Sequence, residues 1–361
     1  MKTVSKNTQL IWKEKHMVEI RVMKLEEAQA VRKLGRRTFE WFEALWVPKP
    51  KKCFVAVEGH DILGAVIYKY FKIEDKTIGY VDYIFVDKKG HGKGIGTKLV
   101  DACFKAMDQE GCDGYSAIVR DDNVGSWKLF INKGLSRYGI DDLFRRFGLK
   151  GMVGLSFQSP LFVATGMEFY LAIKSEEAEV NKGSTRRQLI NLCLYTIIFL
   201  LPTLIRGLDY AFYVIGAILT ILSIRVVFGY IGTRLSNEKW SFRVIDGGFF
   251  IPTMASIFGG AYYISGNWYP SEYRRDQEFR SALGKTALLQ WISVFLLVLV
   301  GRTSLANIEF VDAVVTLGRI LLAISVIPFY PMASFGGERI FKWNKWVYGL
   351  ILLITILQFI L

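Results

Sequence analysis

Apolar and polar positions follow two different rhythms along this chain. Up to about residue 175 they alternate, or recur at helical spacing, with charges between them; beyond residue 188 they gather into long uncharged stretches. In the first part Val18–Met23 is a short β-rich run, and Leu25–Trp46 carries Leu25, Ala28, Val31 and Leu34 at helical spacing. Cys53–Val57 and Ile62–Tyr70 read as strands joined by a Glu58-Gly59-His60-Asp61 turn, and Thr77–Val86 as a fourth strand. A glycine-rich loop, Gly90–Gly96, comes next. It is followed by a helix (Thr97–Gln109), a strand (Tyr115–Arg120), a helix (Val124–Asn132) and a last strand (Met167–Ile173). The order β-α-β-β-β-loop-α-β-α-β predicts an α/β sandwich around a mixed sheet.

Two segments of this part have a second character. In the long stretch Ser136–Gly166, Ile140, Leu143, Phe144 and Phe147 share a helical face opposite Asp141, Asp142, Arg145 and Arg146. That segment reads either as an interfacial membrane helix or as an ordinary core helix. The cluster Phe39, Trp41, Phe42, Leu45 and Trp46 is expected as core and acceptor-site wall, with membrane contact as the alternative.

The uncharged stretches of the second half match the ~30 Å of a bilayer core at ~1.5 Å of rise per residue. Expected spans are Gln188–Ile205, Tyr210–Gly232, Thr286–Gly301, Asp312–Pro331 and Trp346–Leu361. Gly247–Trp268 is treated as re-entrant. This choice keeps Arg274, Arg275, Arg280, Lys285, Arg339, Lys342 and Lys345 on the cytoplasmic side with Arg234, Lys239 and Arg243, leaving Arg206 and Arg302 outside. Its glycines and Pro252 suit irregular backbone sheltered by helices. Arg225 and Arg319 fall within spans, where the expectation is that they snorkel to the interface. The chain thus divides into a basic tail (1–16), an α/β domain (17–175), a linker (176–187) and an all-α polytopic transmembrane domain (188–361) with about five spans and a re-entrant segment near 247–268.

Composition sharpens this division. Hydrophobic residues make up 52% of the chain, and their excess lies in the second half. The net charge of +13 suits an anionic membrane surface; without basic runs interleaved with aromatics on a soluble element, a nucleic-acid partner is not expected. Cys53, Cys103, Cys112 and Cys193 are scattered without paired spacing, so neither a disulfide framework nor a zinc ribbon is expected. The N-terminus is basic (Lys2, Lys6, Lys13, Lys15) and lacks the apolar core of a signal peptide. These features predict an integral protein of the cell membrane with a cytoplasmic N-terminal domain.

The loop His91-Gly92-Lys93-Gly94-Ile95-Gly96 carries the chemistry. Glycines there let main-chain N–H groups approach an anion without Cβ obstruction, and the following helix contributes its positive end, so a pyrophosphate is the expected ligand. Its place after the fourth strand disfavours a dinucleotide fold.

Loop and element order together resemble the GNAT acetyltransferase superfamily, whose signature is Arg or Gln, two residues, Gly, one residue, then Gly or Ala. Here that reads His91-x-x-Gly94-x-Gly96. A second family motif resembles Asp122-Asn123-Val124-Gly125-Ser126-Trp127 continuing to Leu135. The resemblance covers about residues 17–175 and implies a GNAT-like α/β fold that binds acetyl-CoA or another acyl-CoA, with no metal. It further implies that Gly92, Lys93, Gly94, Ile95, Gly96 and Thr97, with His91, cradle the CoA pyrophosphate. Val86 would bond the pantetheine through its main chain, and Asn123 would contact the same arm. Two positions depart from the pattern. His91 replaces Arg or Gln, and Phe130 stands where many members place the tyrosine that protonates the leaving thiolate.

Acyl transfer to an amine needs a base, and strand alternation places Tyr80, Asp82, Ile84 and Val86 on one face, making Asp82 the candidate. The alternative for Asp82 is a surface or salt-bridged carboxylate. Tyr138 and Tyr115 are the candidate acids replacing the missing tyrosine. The activity expected is acetyl-CoA-dependent N-acetyltransfer to an amine of a protein, peptide or lipid at the membrane. The alternatives are a non-catalytic acyl-CoA sensor acting on the membrane domain, and a transporter or lipid-handling protein with the soluble domain as accessory.

Residues 210–350 in turn resemble site-2-protease-like membrane metalloproteases. The likeness rests on Trp240–Arg243, Gly259–Gly266, Leu283–Gln290, Ile327–Met332 and Gly336–Asn344. The zinc ligands of that family are missing. Arg225-Val226-Val227-Phe228-Gly229 stands in place of its His-Glu-x-x-His helix, Ala333, Ser334 and Phe335 stand in place of its aspartate, and all three histidines (His16, His60, His91) lie in the first half. The resemblance therefore implies a degenerate, metal-free scaffold.

Overall fold

The structure is a computed structural model and describes residues 17–120, 123–158, 167–176, 184–206, 208–236, 238–244, 257–258, 263–264, 266–270, 274, 276–303, 309–329 and 332–360. The tail 1–16, most of the linker and most of the stretch 247–268 lie outside the described residues. The chain forms two compact units: residues 1–72 with 76–115, and residues 73–75 with 116–361.

In the first unit β1 (Glu19–Val22) is followed by α1 (Ala28–Thr38), α2 (Trp41–Trp46), β2 (Cys53–Glu58), β3 (Asp61–Ile73), β4 (Lys76–Val86) and α3 (Ile95–Gln109). The strands neighbour one another in the order β1-β2-β3-β4, and the pairs β1–β2 and β2–β3 are antiparallel. Helix α3 lays Leu99, Val100, Cys103 and Met107 inward, each fully buried. At Gly79 a Cβ would lie 2.4 Å from the Met107 Sδ, so that glycine sets how closely α3 approaches β4. Burial of the Leu99, Val100 and Met107 side chains contributes about 1.5–3 kcal/mol each.

The segment 25–46 corrects the expectation of one continuous helix. Phe39 and Glu40 are extended (ψ 160° and 159°) and split it into α1 and α2. The cause is tertiary: the Phe39 ring packs edge-on against Tyr83 and Phe85, at 5.6 and 5.9 Å between centroids. Trp41, Leu45 and Trp46, expected in the core, are exposed.

The second unit holds most of β5 (Gly114–Val119), then α4 (Val124–Ile131), β6 (Ser136–Tyr138), α5 (Ile140–Gln158) and β7 (Glu168–Ile173), with strand neighbours in the order β5-β7-β6. The three-residue β6, antiparallel to β7, is too short to announce itself by alternation. The helix expected in 136–166 is α5, which buries Leu143 and Phe147. Phe144 is exposed, which corrects the single apolar face, and Gly148 breaks helical geometry at φ 61°, ψ −173°.

Five long helices follow: α6 (Thr185–Arg206), α7 (Leu208–Arg234), α8 (Gln277–Thr303), α9 (Glu309–Ser325) and, after the short α10 (Gly337–Trp343), α11 (Lys345–Ile360). They coincide with the five expected apolar stretches, but the fourth helix stops at Ser325, short of the expected Pro331. Two meet the length and apolarity needed to cross a bilayer, over Ala211–Arg234 and Gln277–Thr303; α11 is apolar but shorter. Small residues set the close approaches: a Cβ on Gly318 would lie 2.4 Å from Val298 Cγ2, and one on Gly232 2.9 Å from the Thr286 Cα.

A two-stranded antiparallel sheet, β8 (Trp240–Val244) and β9 (Gly266–Pro270), was not legible in the sequence. Gly266–Trp268, expected as the end of a re-entrant segment, is strand. Arg225 also corrects its expectation. It does not snorkel; it is buried, and its Nη2 donates to the Phe335 carbonyl at 2.7 Å.

Candidate active site

Strand β4 runs into a 3₁₀ turn at Lys88–Gly90, capped by Asp87, whose carboxylate accepts from the Lys89 N–H at 2.9 Å. That hydrogen bond, reinforced by the paired Arg37 guanidinium, holds the Asp87 carboxyl below its usual range. The chain then turns through Gly92 and Gly94, at φ 78° and 68°, left-handed values that an L side chain adopts at a cost. A Cβ at either position would meet nothing within 4 Å, so the two glycines are required by the backbone and not by crowding.

Gly94 caps α3, which starts at Ile95, two residues before the expected start. The first hydrogen bond in the helical register runs from the Lys98 N–H to the Gly94 carbonyl, 3.2 Å. The N–H groups of Ile95, Gly96 and Thr97 therefore have no acceptor within the helix, and they stand at its positive end. Donors so arranged can bind a phosphate-bearing anion.

The side chains of the loop are already engaged. The His91 Nε2 lies 3.2 Å from the Val86 carbonyl, which ties the loop back to the end of β4. The Lys93 ammonium pairs with the Glu58 carboxylate on β2, at 2.9 and 3.0 Å. Asp82, Ile84 and Val86 share the partly exposed face of β4, whereas Tyr80, placed with them by alternation, is fully buried.

Asp82 pairs with Lys69 on β3, at 3.2 Å. Burial pushes its carboxyl above the usual range, with the Lys69 charge opposing the shift. A carboxylate so tuned can accept a proton closer to neutrality than an exposed one. Sequence reading missed Lys69; a basic residue in an otherwise apolar strand run was the available signal.

Tyr115 stacks on Phe104, 4.1 Å between centroids, and its hydroxyl donates to Asp108. Burial, then that bond, raises its pKa. Asp108 is 13 residues beyond the start of α3, about 20 Å of helix from the glycine loop. Tyr115, a candidate acid in the sequence, thus has its hydroxyl engaged by Asp108 at the far end of α3 from the loop.

In the second unit, Asn123 is the N-cap of α4, its Oδ1 accepting from the Ser126 N–H at 3.2 Å. Phe130 lies on the same helix and is fully buried. Tyr138, on β6, is buried and its hydroxyl accepts from Arg146 Nη1 at 2.8 Å. Among the described residues, no group of three or more His, Cys, Asp or Glu side chains is arranged to hold a metal.

The acetyltransferase (GNAT) family matches residues 17–134. N-alpha-acetyltransferase 30 of Xenopus laevis is 32% identical over 120 residues, which are 33% of this chain and 41% of that protein. The human N-alpha-acetyltransferase 30 is likewise 32% identical, over 33% of this chain and 31% of its own length. The chain thus spans less than half the length of these relatives. Among solved structures it is similar to the NatC complex bound to Gag peptide and CoA, with 15% identity over 43% of this chain and 95% of that chain, at a TM-score of 0.30. A GNAT family N-acetyltransferase from Escherichia coli in complex with CoA is 22% identical over 30% of this chain and 66% of its own, at a TM-score of 0.28. With the glycine loop placed between β4 and α3, the family match identifies residues 17–134 as a GNAT acetyltransferase domain.

Proposed function

We propose that this chain is an acetyl-CoA-dependent N-acetyltransferase held at the cytoplasmic face of the cell membrane by its helical half, where it acetylates an amine of a protein, peptide or lipid. The observation that carries the reading is the loop after β4, with Gly92 and Gly94 left-handed and the N–H groups of Ile95, Gly96 and Thr97 free at the start of α3. That arrangement suits a pyrophosphate, so the loop with Lys93 and His91 would hold that part of CoA, while Val86 and Asn123 would meet the pantetheine arm. When bound, acetyl-CoA supplies the acyl group and a thiolate leaving group.

The residues of the chain supply the proton path. Asp82, directly or through water, takes the proton that the amine loses as its C–N bond forms and the C–S bond breaks. Tyr138, whose hydroxyl accepts from Arg146, is the residue that would return a proton to sulfur. Relatives that act as N-alpha-acetyltransferases favour an α-amino group as the acceptor.

Membrane attachment is supported by the two long apolar helices and by the large side chains exposed along the helical half. These include Ile190, Leu194 and Ile198 on α6, Phe212 and Val227 on α7, and Leu350, Leu353 and Phe359 on α11. A degenerate protease-like scaffold for this half is favoured by one contact: Arg225 meets Phe335, joining the two stretches that stand in place of that family's zinc motif and aspartate.

Phe130 favours a second reading, an acyl-CoA sensor without turnover. Incubating the purified chain with acetyl-CoA and a panel of peptide, polyamine and aminophospholipid acceptors separates the two. CoA release coupled to a mass increase of one acetyl group on an acceptor supports the enzyme. Saturable CoA binding with no turnover on any amine selects the sensor, and no CoA binding sinks both.

A further inference from the structure

Arg225, Tyr263 and Gln290 are each at most 3% exposed, and each carries polar atoms without a hydrogen-bond partner among the described residues: Arg225 Nη1, the Tyr263 hydroxyl, and both carboxamide atoms of Gln290. They belong to one neighbourhood. Gln290 on α8 faces Gly229, where a Cβ would lie 2.5 Å from its Nε2, and Gly229 is one turn along α7 from Arg225. The Trp268 indole closes the same place, its Nε1 donating to the Val226 carbonyl at 3.0 Å. Arg225 lies within electrostatic range of Tyr263, Tyr269 and a second cation, Arg339, whose Nη1 donates to the Trp268 carbonyl at 2.8 Å.

No carboxylate of the described residues pairs with Arg225; its hydrogen bond goes to the Phe335 carbonyl and its charge faces the Phe335 ring at 5.4 Å. An isolated buried guanidinium costs several kcal/mol, and a neighbouring cation adds to that. Water can satisfy a phenol or a carboxamide, but it does not neutralise charge. The unused donors come from three different side chains, a guanidinium, a phenol and a carboxamide. That suits an anion with several acceptor oxygens.

We propose that the α7–α8 seam around Arg225 is a binding site for a phosphate group, borne by a phospholipid head or by free phosphate, with Arg225 as its charge partner and Tyr263 and Gln290 as neutral donors. The site is separate from the glycine loop and does not depend on the acetyltransferase reading.

The test uses the full chain purified in uncharged detergent micelles. Its unfolding midpoint is followed against sodium phosphate at ionic strength matched with chloride, and against added phosphatidylglycerol with phosphatidylcholine as reference. The midpoint is expected to rise with a phosphate source. A rise with phosphatidylglycerol but not inorganic phosphate assigns the lipid head; a rise with inorganic phosphate assigns a site open to the free anion. Arg225→Met should abolish the rise, and Tyr263→Phe should shift half-saturation to about tenfold higher ligand. Arg145→Met, at an exposed position of α5, should leave it unchanged. If Arg225→Met fails to fold, the Tyr263→Phe shift decides the matter. No rise in the wild type with any phosphate source overturns the proposal, as does a rise that Tyr263→Phe and a folded Arg225→Met leave intact.

Discussion

The His91 imidazole folds back onto the strand that precedes it, placing its Nε2 3.2 Å from the Val86 carbonyl. At the position where GNAT members carry Arg or Gln, the side chain thus braces the loop against the end of β4. Val86 keeps a second lone pair for a ligand.

His91→Ala should therefore loosen the loop without unfolding the domain. One exposed hydrogen bond is worth about 0.5–1.5 kcal/mol, so acetyl-CoA affinity is expected to fall about 2- to 10-fold with little change in the unfolding midpoint. Calorimetric titration reads the first quantity and thermal denaturation the second. An unchanged affinity would show that the brace has no part in binding.

Gly94→Ala places a side chain at φ 68°, where the added Cβ meets no neighbour. The cost is then backbone strain of about 1–2 kcal/mol. Because the three free N–H groups follow directly, acetyl-CoA affinity is expected to fall at least tenfold; retention of wild-type binding would contradict the loop's assigned role.

Asp82→Asn should lower kcat at neutral pH and leave CoA affinity intact. The Asp82 carboxyl titrates above its usual range, so the wild-type rate should be lost as pH falls through that raised value, and the Asn variant should lack this limb. Lys69→Met removes the charge that opposes the shift, so it should move the limb to higher pH. The same sign governs stability. A folded-state pKa above the unfolded value disfavours the folded state at neutral pH, and the penalty is relieved as pH falls through the folded value, so Asp82→Asn is expected to raise the midpoint near pH 7. Rate profiles over pH 5–9 that coincide for wild type and Asp82→Asn would remove Asp82 from the mechanism.

Within the second unit, Arg187 at the start of α6 pairs with Asp141 and with Asp142, the latter at 2.7 Å. Arg187→Ala should reduce stability by about 1 kcal/mol, because the pairs are only partly shielded from solvent. Chemical denaturation of the variant should show an equal loss in Asp142→Asn if Asp142 dominates, and near-additive losses if it does not.

Cell fractionation checks the anchoring. The chain should sediment with membranes, resist alkaline carbonate and enter solution only with detergent. Release by carbonate would leave the apolar helices to be explained as a soluble core or a peripheral contact.

The sequence by itself determined what depends on local chemistry. Alternation marked β2 to β4, helical periodicity marked α3, and the glycines of His91–Gly96 announced the turn between them because few residues tolerate its backbone. Uncharged length marked the five long helices. Tertiary structure alone decided what depends on distant partners. It broke the helix at Phe39, whose ring finds Tyr83 and Phe85, and paired the three residues of β6 with β7. It engaged Lys93 with Glu58 and Asp82 with Lys69, and buried Arg225 beneath Phe335 rather than letting it reach outward. Periodicity records which face of an element is apolar. It does not record which neighbour that face meets, and a charge acquires its function from that neighbour.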